Sequence, residues 1–443
     1  MKSSIVTPLR HWITQLIEHR AGRPLSSIHH KMDVWLLLEA HRLLESKKAP
    51  GIDGVSKEDY ARNLQGNLVG LLSRVRGQTY RAPAVRRVEI PKPDGKTRPL
   101  GVPTYEDKLL QKAFVLLVEP VFEREFHEGS YGYRPGKTQH DAISALHGAL
   151  SAGNHYVVEL DIKGYFDSIP HKELRKMFSD RITDGVMNRL ILGWLKAGVM
   201  KEGDWQASDS GTPQGGVVSP LLANLYLHEV LDQWVQEQVK PVLKGGVKLV
   251  RYADDAVLSF SLEEDARRFY AVLGKRFERY GLKLHPEKTR LLDFRPPARG
   301  EGKGQTFSFL GFTFYWGKSR KGQWIVKVKT EAKRMRRKLK EVGEWCRENR
   351  HKPQAWQQAQ LRRKVEGHSQ YYGVSHNLEA LKRFESGVQW VWRKWMNRRG
   401  SRPINWEQWR SRVRNYPWVK LRIVHSLWAM PKKRQLEPEL PLW

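Results

Sequence analysis

The segment LVRYADDAVLSF, residues 249–260, places two adjacent aspartates, Asp254 and Asp255, between two short apolar runs. Each run is rich in Val, Leu, Tyr and Phe, which predicts two strands joined by a tight turn. Two neighbouring carboxylates in such a turn repel each other unless a positive group holds them. The segment therefore predicts a strand–turn–strand unit that presents carboxylates to a cation.

A third carboxylate, Asp161, follows the apolar strand run of HYVVELDIKGYF, residues 155–166. A carboxylate at the end of a buried strand is costly unless it is paired or binds a metal ion. Three carboxylates at strand ends would suit Mg²⁺, which prefers oxygen ligands, and a pair of ions that bind both oxygens of a phosphoryl transfer. The sequence does not establish that the two strands meet, and the alternative is two unrelated surface turns.

Two loops carry features that suit phosphate. In residues 208–232, glycines and a proline precede an apolar helix, where backbone amides favour anions and Gln214 could contact a base or sugar. In residues 89–103, Lys92, Lys96 and Arg98 surround a Pro-Asp-Gly turn between two short strands, where cations could cover a triphosphate. The alternatives are an ordinary glycine-rich helix start and a solvated basic hairpin.

The basic residues are concentrated at the C-terminal end. Residues 301–443 contain 33 Lys and Arg against 11 Asp and Glu, so they carry +22 of the net charge of +31, and they hold 12 of the 17 tryptophans. This balance indicates a polyanionic partner, most often nucleic acid. No apolar run is long enough to span a bilayer and no signal peptide is recognisable, so we expect a cytoplasmic protein, nucleoid-associated when it acts on DNA, with no membrane partner.

The aromatic segment TFSFLGFTFYW, residues 306–316, is predicted to be one strand, and from residue 330 onward the chain is predicted to be helical. The run KRMRRKLK, residues 333–340, would put cations on every face of a helix, either to contact RNA phosphates or as a solvated basic surface. The tryptophans could stack on unpaired bases, but we expect Trp392 and Trp395 to pack between helices. The single cysteine, Cys346, excludes paired-cysteine zinc sites and is expected to be a structural thiol.

Eight motifs in order resemble those of group II intron-encoded reverse transcriptases. They are GIDGVS, PKPDGKTRPLGVPT, SYGYRPGKTQHDAI, ELDIKGYFDSIPH, GTPQGGVVSPLLANLYL, RYADDAVL, LHPEKT and FSFLGF. The resemblance implies an α+β right-hand polymerase, with fingers and a palm of antiparallel sheet plus helices, followed by an all-helical thumb. It predicts an N-terminal helical extension and start of the fingers at 1–70, fingers and palm at 71–316, a thumb or maturase domain at 317–400 and a basic tail at 401–443.

The resemblance also assigns residue roles. Asp161, Asp254 and Asp255 would be catalytic, and Asp161, Ile162 and Asp254 would hold two Mg²⁺ ions. The implied contacts to the incoming deoxynucleoside triphosphate are Lys92, Arg98, Phe166 as a steric gate against the ribose 2′-hydroxyl, Gln214 and Lys288. The segment FSFLGF, residues 307–312, resembles the primer grip. The RNA-binding residues expected in the basic region are Lys333, Arg334, Arg336, Arg337, Arg362, Arg363 and Lys364.

The implied function is RNA-directed DNA synthesis together with binding of the parent group II intron RNA, assistance of its splicing and copying of the intron during retrohoming. The implied partners are that intron RNA, an RNA template with a DNA primer, a DNA target and deoxynucleoside triphosphates. The cysteine-paired endonuclease domain of many such proteins is expected to be absent. Two alternatives stay open: a domesticated, defence or diversity-type reverse transcriptase, and an RNA-binding splicing maturase with little polymerase activity.

Overall fold

The computed structural model describes residues 6–19, 23–46, 48–91, 97–201, 204–206, 211, 215–298, 304–399, 404–414 and 416–428. The elements below are numbered in chain order within those ranges. Among these residues, no helix is both long enough and apolar enough to cross a membrane.

The N-terminal part is a set of helices packed on one long central helix. The bounds are α1 Val6–His19, α2 Val34–Leu43, α3 Lys57–Ala61, α4 Leu64–Arg76 and, after a β-hairpin, α5 Tyr105–Glu123. Side chains at the helix starts accept backbone N–H groups, as Asp33 does for α2 and Ser56 with Asp59 does for α3 in a capping box. Helix α5 is apolar around most of its surface and forms the centre of this core, with Phe114 fully buried.

The hairpin between α4 and α5 consists of β1 Val85–Pro91 and β2 Thr97–Val102. The two strands are antiparallel with Arg86 opposite Val102, which confirms the predicted pair of strands around the Pro-Asp-Gly turn. The turn itself, with Lys92, lies outside the described residues.

The central region follows as α6 Gln139–Ser151, β3 Tyr156–Leu160, α7 Tyr165–Ser168, α8 His171–Ser179, α9 Gly185–Lys196, β4 Val199–Lys201, β5 Asp204–Gln206 and α10 Ser219–Leu227. Strand β4 pairs parallel with β1 and antiparallel with β5, so these short strands extend the hairpin into a four-stranded sheet. After α10 the helix continues in wider π-helical turns over His228–Asp232 and Trp234–Val239.

A second four-stranded sheet carries the predicted strand–turn–strand unit. The sheet contains β3 together with β6 Val247–Tyr252, β7 Asp255–Phe260 and β8 Arg290–Asp293. Helix α11, Glu263–Arg279, lies between β7 and β8 in the chain. The strand order is β6-β7-β3-β8, and every neighbouring pair is antiparallel. This sheet confirms the prediction of an antiparallel palm sheet with helices.

The aromatic segment TFSFLGFTFYW forms two strands where the sequence analysis expected one. They are β9 Phe307–Phe309 and β10 Phe312–Lys318, followed by β11 Trp324–Thr330 in a three-stranded antiparallel sheet. Leu310 and Gly311 have φ of 49° and 82°, so the chain reverses at the only glycine of the segment. The prediction of one continuous strand was wrong because aromatic residues continue on both sides of that turn.

Four helices form most of the C-terminal region: α12 Ala332–Glu348, α13 Gln354–Tyr372, α14 Leu378–Met396 and α15 Trp406–Arg414. The first of these helices begins at Ala332, after β11, close to the helical start predicted at residue 330. Residues 416–428 are not helical either, and Val374 forms a bridge with His425 there. The expectation of uninterrupted helix from residue 330 was wrong for this segment.

Helix α12 was expected to expose cations on every face, and this expectation was wrong. Met335 and Leu339 are partly buried, and Val342 and Cys346 are fully buried against α14, so one apolar stripe is closed. Trp392 is fully buried in the same cluster and Trp395 packs against it, which confirms the packing role expected for both tryptophans. Burial raises the pKa of the Cys346 thiol to about 12, so it stays a neutral core group.

Candidate active site

The palm sheet brings the carboxylates that are predicted to be catalytic to one edge. Leu160 pairs with Ala256, so Asp161 and Asp255 come next along the two antiparallel strands, on neighbouring strand ends. The paired strands β6 and β7 close their turn at Tyr252 and Asp255, with Asp254 inside it. The structure therefore brings together the two motifs that the sequence alone left unconnected.

The backbone of Asp161 is fixed from the opposite side by the turn that precedes β8. Its carbonyl oxygen accepts hydrogen bonds from the His285 N–H (2.8 Å) and from the Thr289 hydroxyl (3.1 Å). The same turn carries Lys288, whose Nζ lies 3.1 Å from Asp161 Oδ2. This contact places Lys288 at the site, as the sequence analysis expected.

The electrostatics show mutual repulsion among the carboxylates. The surrounding cleft raises the pKa of the Asp255 carboxyl by desolvation, and the nearby Asp254 and Asp161 raise it further, to about 6. Arg334 and Lys288 oppose this shift. A cation bound among these carboxylates would relieve the repulsion, and an all-oxygen donor set is the kind that Mg²⁺ prefers.

The carboxylate groups fit a divalent ion in chemistry, although they are not gathered around a single point. Within the ranges that the structure describes, no three acidic, histidine or cysteine side chains are close enough together to hold an ion. The predicted ligands are Asp161, Asp254 and Asp255, and Ile162 could contribute only its backbone carbonyl oxygen, because its hydrocarbon side chain has no ligating atom.

A cleft of about 320 Å³ lies between the carboxylates and the aromatic hairpin. Asp161, Asp255 and Lys288 line one wall, and Leu310 with Gly311 line the other. The turn between β9 and β10 thus faces the carboxylates, the position expected of a segment that holds a primer end.

Arg334 lies in this cleft as well, although the sequence analysis assigned it to the RNA-binding residues. Arg334 lines the cleft and pairs with Glu331 at 3.3 Å. It is close enough to Asp255 for its charge to oppose the rise in the pKa of that carboxyl. A Cβ on Gly311 would lie 2.9 Å from the Arg334 side chain, so the arginine packs directly on the hairpin turn. Arg334 therefore belongs to the palm cleft, whereas Lys333, Arg336 and Arg337 are exposed on α12 and do not line that cleft.

Phe166 is buried, with 7% of its surface exposed, on the short helix α7 that follows Asp161. Its ring packs edge-on against Tyr165, whose hydroxyl donates to the Ala223 carbonyl oxygen at 2.5 Å. Gly211 lies against the same turn, since a Cβ there would be 2.8 Å from the Phe166 carbonyl oxygen. These contacts fix the turn that carries Phe166, and the role of its ring as a steric gate stays a prediction.

The glycine-rich loop connects this turn to the basic hairpin. A Cβ on Gly215 would lie 2.5 Å from the Gly101 carbonyl oxygen in β2, and the Val218 N–H donates to Gln111 Oε1 at 3.2 Å. The two described ends of the loop thus contact α7 and the strand that carries Arg98. Lys92 and Gln214 lie outside the described residues, as does the side chain of Arg98, so their roles stay predictions.

The remaining predicted RNA-binding residues lie on the helical C-terminal region. Arg362 and Arg363 are exposed on α13, and Lys364 stands over the Trp345 ring, with its Nζ 5.4 Å from the ring centre. The exposed side chains of Arg362 and Arg363 are accessible to a polyanion.

The turn between β6 and β7, Tyr252–Asp255, is called the aspartate turn. The sequence analysis missed Arg251, which lies two positions before Ala253 of this turn. Its side chain is completely buried and pairs with Asp232 at 2.6 Å. The available signal was the arginine itself, a charged residue directly after the apolar pair Leu249 and Val250 of β6.

Comparisons with known proteins agree with this geometry. The family model described as reverse transcriptase (RNA-dependent DNA polymerase) matches residues 90–314. Protein YkfC of Escherichia coli (strain K12) is 39% identical over 210 residues, which are 46% of this chain and 55% of YkfC. The group II intron-encoded protein LtrA of Lactococcus lactis subsp. cremoris is 38% identical over 197 residues, 44% of this chain and 33% of LtrA.

A more distant relative is nuclear intron maturase 2, mitochondrial, of Arabidopsis thaliana, 24% identical over 176 residues, 31% of this chain and 24% of that protein. The matches thus span about half of YkfC and a third of LtrA. The family model covers just over half of the chain, including both carboxylate motifs, and the chain therefore belongs to the reverse transcriptase family.

Proposed function

We propose that the protein is an RNA-directed DNA polymerase that extends a DNA primer on an RNA template with deoxynucleoside triphosphates. The observation that carries this proposal is the meeting of Asp161 and Asp255 on adjacent antiparallel strands, opposite the β9–β10 turn across one cleft. Reverse transcriptases as a family use divalent metal ions; two Mg²⁺ ions are part of the proposal. When bound, they would supply Lewis-acid stabilisation of the attacking and leaving oxygens.

The residues of the chain then have separate tasks. Asp161, Asp254 and Asp255 bind the ions, while Lys288 and Arg334 place positive charge where the primer and the triphosphate bring negative charge. Phe166 limits the space beside the sugar. The turn at Leu310 and Gly311 supports the primer end.

The chain also supports a second role, binding of a group II intron RNA and assistance of its splicing. The supporting observation is the exposed positive charge of Lys333, Arg336 and Arg337 on α12 and of Arg362 and Arg363 on α13. Among the relatives, LtrA is named a group II intron-encoded protein and the Arabidopsis protein is named an intron maturase. Contact with a DNA target, copying of the intron during retrohoming and a cytoplasmic location stay predictions.

Primer extension on poly(rA)/oligo(dT) with Mg²⁺ tests the polymerase proposal. Asp254→Ala should lower the extension rate by at least roughly a thousandfold, because the lost ligand removes several kcal/mol of transition-state stabilisation. Asp293→Ala is the matched control, since Asp293 lies on the same sheet and pairs with Arg295 outside the cleft. Equal rates in both variants would exclude Asp254 from the site.

Primer extension and RNA binding, measured for the wild type and for Asp254→Ala, separate the alternative functions. If Asp254→Ala abolishes extension and leaves intron-RNA binding and splicing assistance intact, the two roles use different surfaces. A wild-type protein that promotes splicing and extends no primer would be a maturase without polymerase activity. A wild-type protein that extends primers and does not prefer a group II intron over an unrelated structured RNA would favour the domesticated, defence or diversity type.

A further inference from the structure

A buried arginine stands directly behind the aspartate turn. Arg251 has no exposed surface, and its guanidinium donates to both carboxylate oxygens of Asp232, at 2.9 and 2.6 Å. Burial raises the pKa of Asp232, but the charge of Arg251, its hydrogen bonds and the neighbouring His228 together outweigh burial and bring that pKa down to about 2. The pair is therefore fully ionised in the core.

The guanidinium makes two further contacts. Its Nη1 donates to Asn224 Oδ1 and to the carbonyl oxygen of Ala253, each at 3.0 Å. Asn224 in turn donates to the Gly132 carbonyl oxygen at 2.6 Å. Arg251 thus connects the helix α10, the segment around Gly132 and the turn itself.

The turn needs such a support. Ala253 has φ of 57°, a left-handed conformation that is unfavourable for a residue with a Cβ. A Cβ on Gly132 would lie 2.2 Å from the Ala253 nitrogen, so the neighbouring backbone presses directly on the turn. Asp254 and Asp255, which follow Ala253, repel each other, and the hydrogen bond from Arg251 opposes any relaxation of this conformation.

The π-helical turns after α10 explain how one guanidinium reaches both helix residues. In a regular α-helix, Asp232 would be rotated by roughly 80° from Asn224, eight residues earlier. The wider turns over His228–Asp232 reduce that rotation, and both side chains reach Arg251. Such π-helical insertions are rare and occur frequently at functional sites.

We propose that Arg251, held by Asp232 and Asn224, is a positioning residue that fixes the conformation of the turn carrying Asp254 and Asp255. The inference rests on the proposed polymerase function. Arg251 touches no substrate and acts by holding the carbonyl oxygen of Ala253. Because the turn is already ordered, metal binding by Asp254 and Asp255 does not include the free-energy cost of ordering it. A buried ion pair serves here to define one conformation, whereas it contributes little to net stability.

The test separates positioning from stability by removing both charges together. The double variant Arg251→Met with Asp232→Leu replaces the pair by apolar groups of similar volume, a change that buried ion pairs generally tolerate in folding. We expect its urea unfolding midpoint to match that of the wild type. We expect its affinity for Mn²⁺, measured by electron paramagnetic resonance without nucleotide or primer, to fall at least about tenfold.

Extension assays add a second readout. In the double variant, kcat should fall at least tenfold, the KM for the deoxynucleoside triphosphate should change less than about twofold, and a higher Mg²⁺ concentration should restore part of kcat. Arg251→Lys should behave in the same direction, since lysine cannot bridge Asp232 and Ala253 with a planar group. The matched control is Arg181→Lys, because Arg181 also binds two carboxylates, Glu125 and Glu229, away from the turn.

A folded double variant with wild-type Mn²⁺ affinity and wild-type kcat would overturn the proposal. So would a weakened Mn²⁺ affinity of equal size in Arg181→Lys, because the effect would then be general destabilisation. If the double variant unfolds, Asn224→Ser decides: this variant keeps the ion pair, and it should lower Mn²⁺ affinity or the proposal fails. Failure of the polymerase function is recognised separately, because the wild type would then extend no primer whatever the Mn²⁺ titration shows.

Discussion

Lys288 Nζ lies 3.1 Å from Asp161 Oδ2, so the protein itself supplies a cationic partner for the first carboxylate of the site. The side chain of Lys288 is 60% exposed and that of Asp161 is 30% exposed, so the pair is a surface ion pair beside the cleft. Such pairs contribute up to about 1 kcal/mol. The lysine therefore competes with a metal ion for Asp161 at a modest cost.

Replacing Lys288 should strengthen metal binding before any nucleotide is present. Loss of up to about 1 kcal/mol of competition corresponds to a gain of up to about fivefold in Mn²⁺ affinity for Lys288→Met. A Mn²⁺ titration followed by electron paramagnetic resonance measures it. Lys283→Met, at an exposed lysine in the same connection, is the control. Weaker Mn²⁺ binding in Lys288→Met would mean that Lys288 orients Asp161 for the metal and does not compete with it.

Phe166→Val should relax sugar selection. The valine leaves space where a ribose 2′-hydroxyl would clash, so the ratio of ribonucleotide to deoxyribonucleotide incorporation should rise at least roughly tenfold. Single-turnover kinetics with both nucleotides on one primer–template measure that ratio, and any loss of correctly folded enzyme cancels within it. An active variant with an unchanged ratio would assign the gate to another residue.

Removal of the exposed charges of α12 should weaken the salt dependence of RNA binding. Replacing Lys333, Arg336 and Arg337 by Gln should flatten the slope of log K against log salt by roughly two to three units, if all three contact phosphate. Arg334 is left unchanged because it lies in the palm cleft. Intron-RNA binding measured across a salt series gives the slope.

The control for that experiment uses the same number of exposed cations on another helix. Arg268, Lys275 and Arg279 are exposed on α11, which packs on the palm sheet. Their replacement by Gln should leave the slope close to that of the wild type. Equal effects of the two triple variants would indicate a diffuse response to net charge, with no RNA site on α12.

The helical region should lose stability on acidification through His368. The ring stacks on Phe384 with centres 3.7 Å apart, and burial, aided by Lys338, lowers its pKa from 6.5 to about 4. The folded state therefore binds a proton less readily than the unfolded state. Stability from this group is full above pH 6.5 and is lost as the pH falls toward 4.

At pH 5 that loss should reach about 2 kcal/mol relative to pH 7.5. Urea unfolding at the two pH values measures it. His368→Phe keeps an aromatic ring in the stack and cannot be protonated, so its unfolding free energy should fall by correspondingly less over the same interval. The same pH dependence in both proteins would assign the acid sensitivity to other groups.

The fold class followed from the resemblance carried by eight motifs in order, and the local pieces of the site followed from short-range sequence patterns. Alternation and β-branched or aromatic content predicted β3, β6 and β7, and the Pro-Asp-Gly turn predicted the β1–β2 hairpin. Asp161 and Asp254 were identified by the cost of leaving a carboxylate at the end of an apolar strand. These inferences succeeded because each rests on neighbours within about ten residues along the chain.

Local patterns failed where the backbone changes direction without a change in composition. Leu310 is apolar and lies between aromatic residues, so its positive φ could not be read from hydrophobicity, and Gly311 alone marked the turn. The extended segment around His425 contains the same residue types as the helices before it, and its pairing with Val374 is set by tertiary contact.

Only the tertiary structure decided how the separate pieces combine. Pairing of β3 between β7 and β8 brings Asp161 to Asp255 and Lys288, which lie 94 and 127 residues further along the chain. The sequence determined which residues carry charge and where most of the strands and helices lie, and its excess of Lys and Arg favours a polyanionic partner. It could not determine which charges meet, since strand order, the burial of Arg251 and the turning of Arg334 toward the cleft depend on packing between distant segments, whose free energy no local pattern encodes.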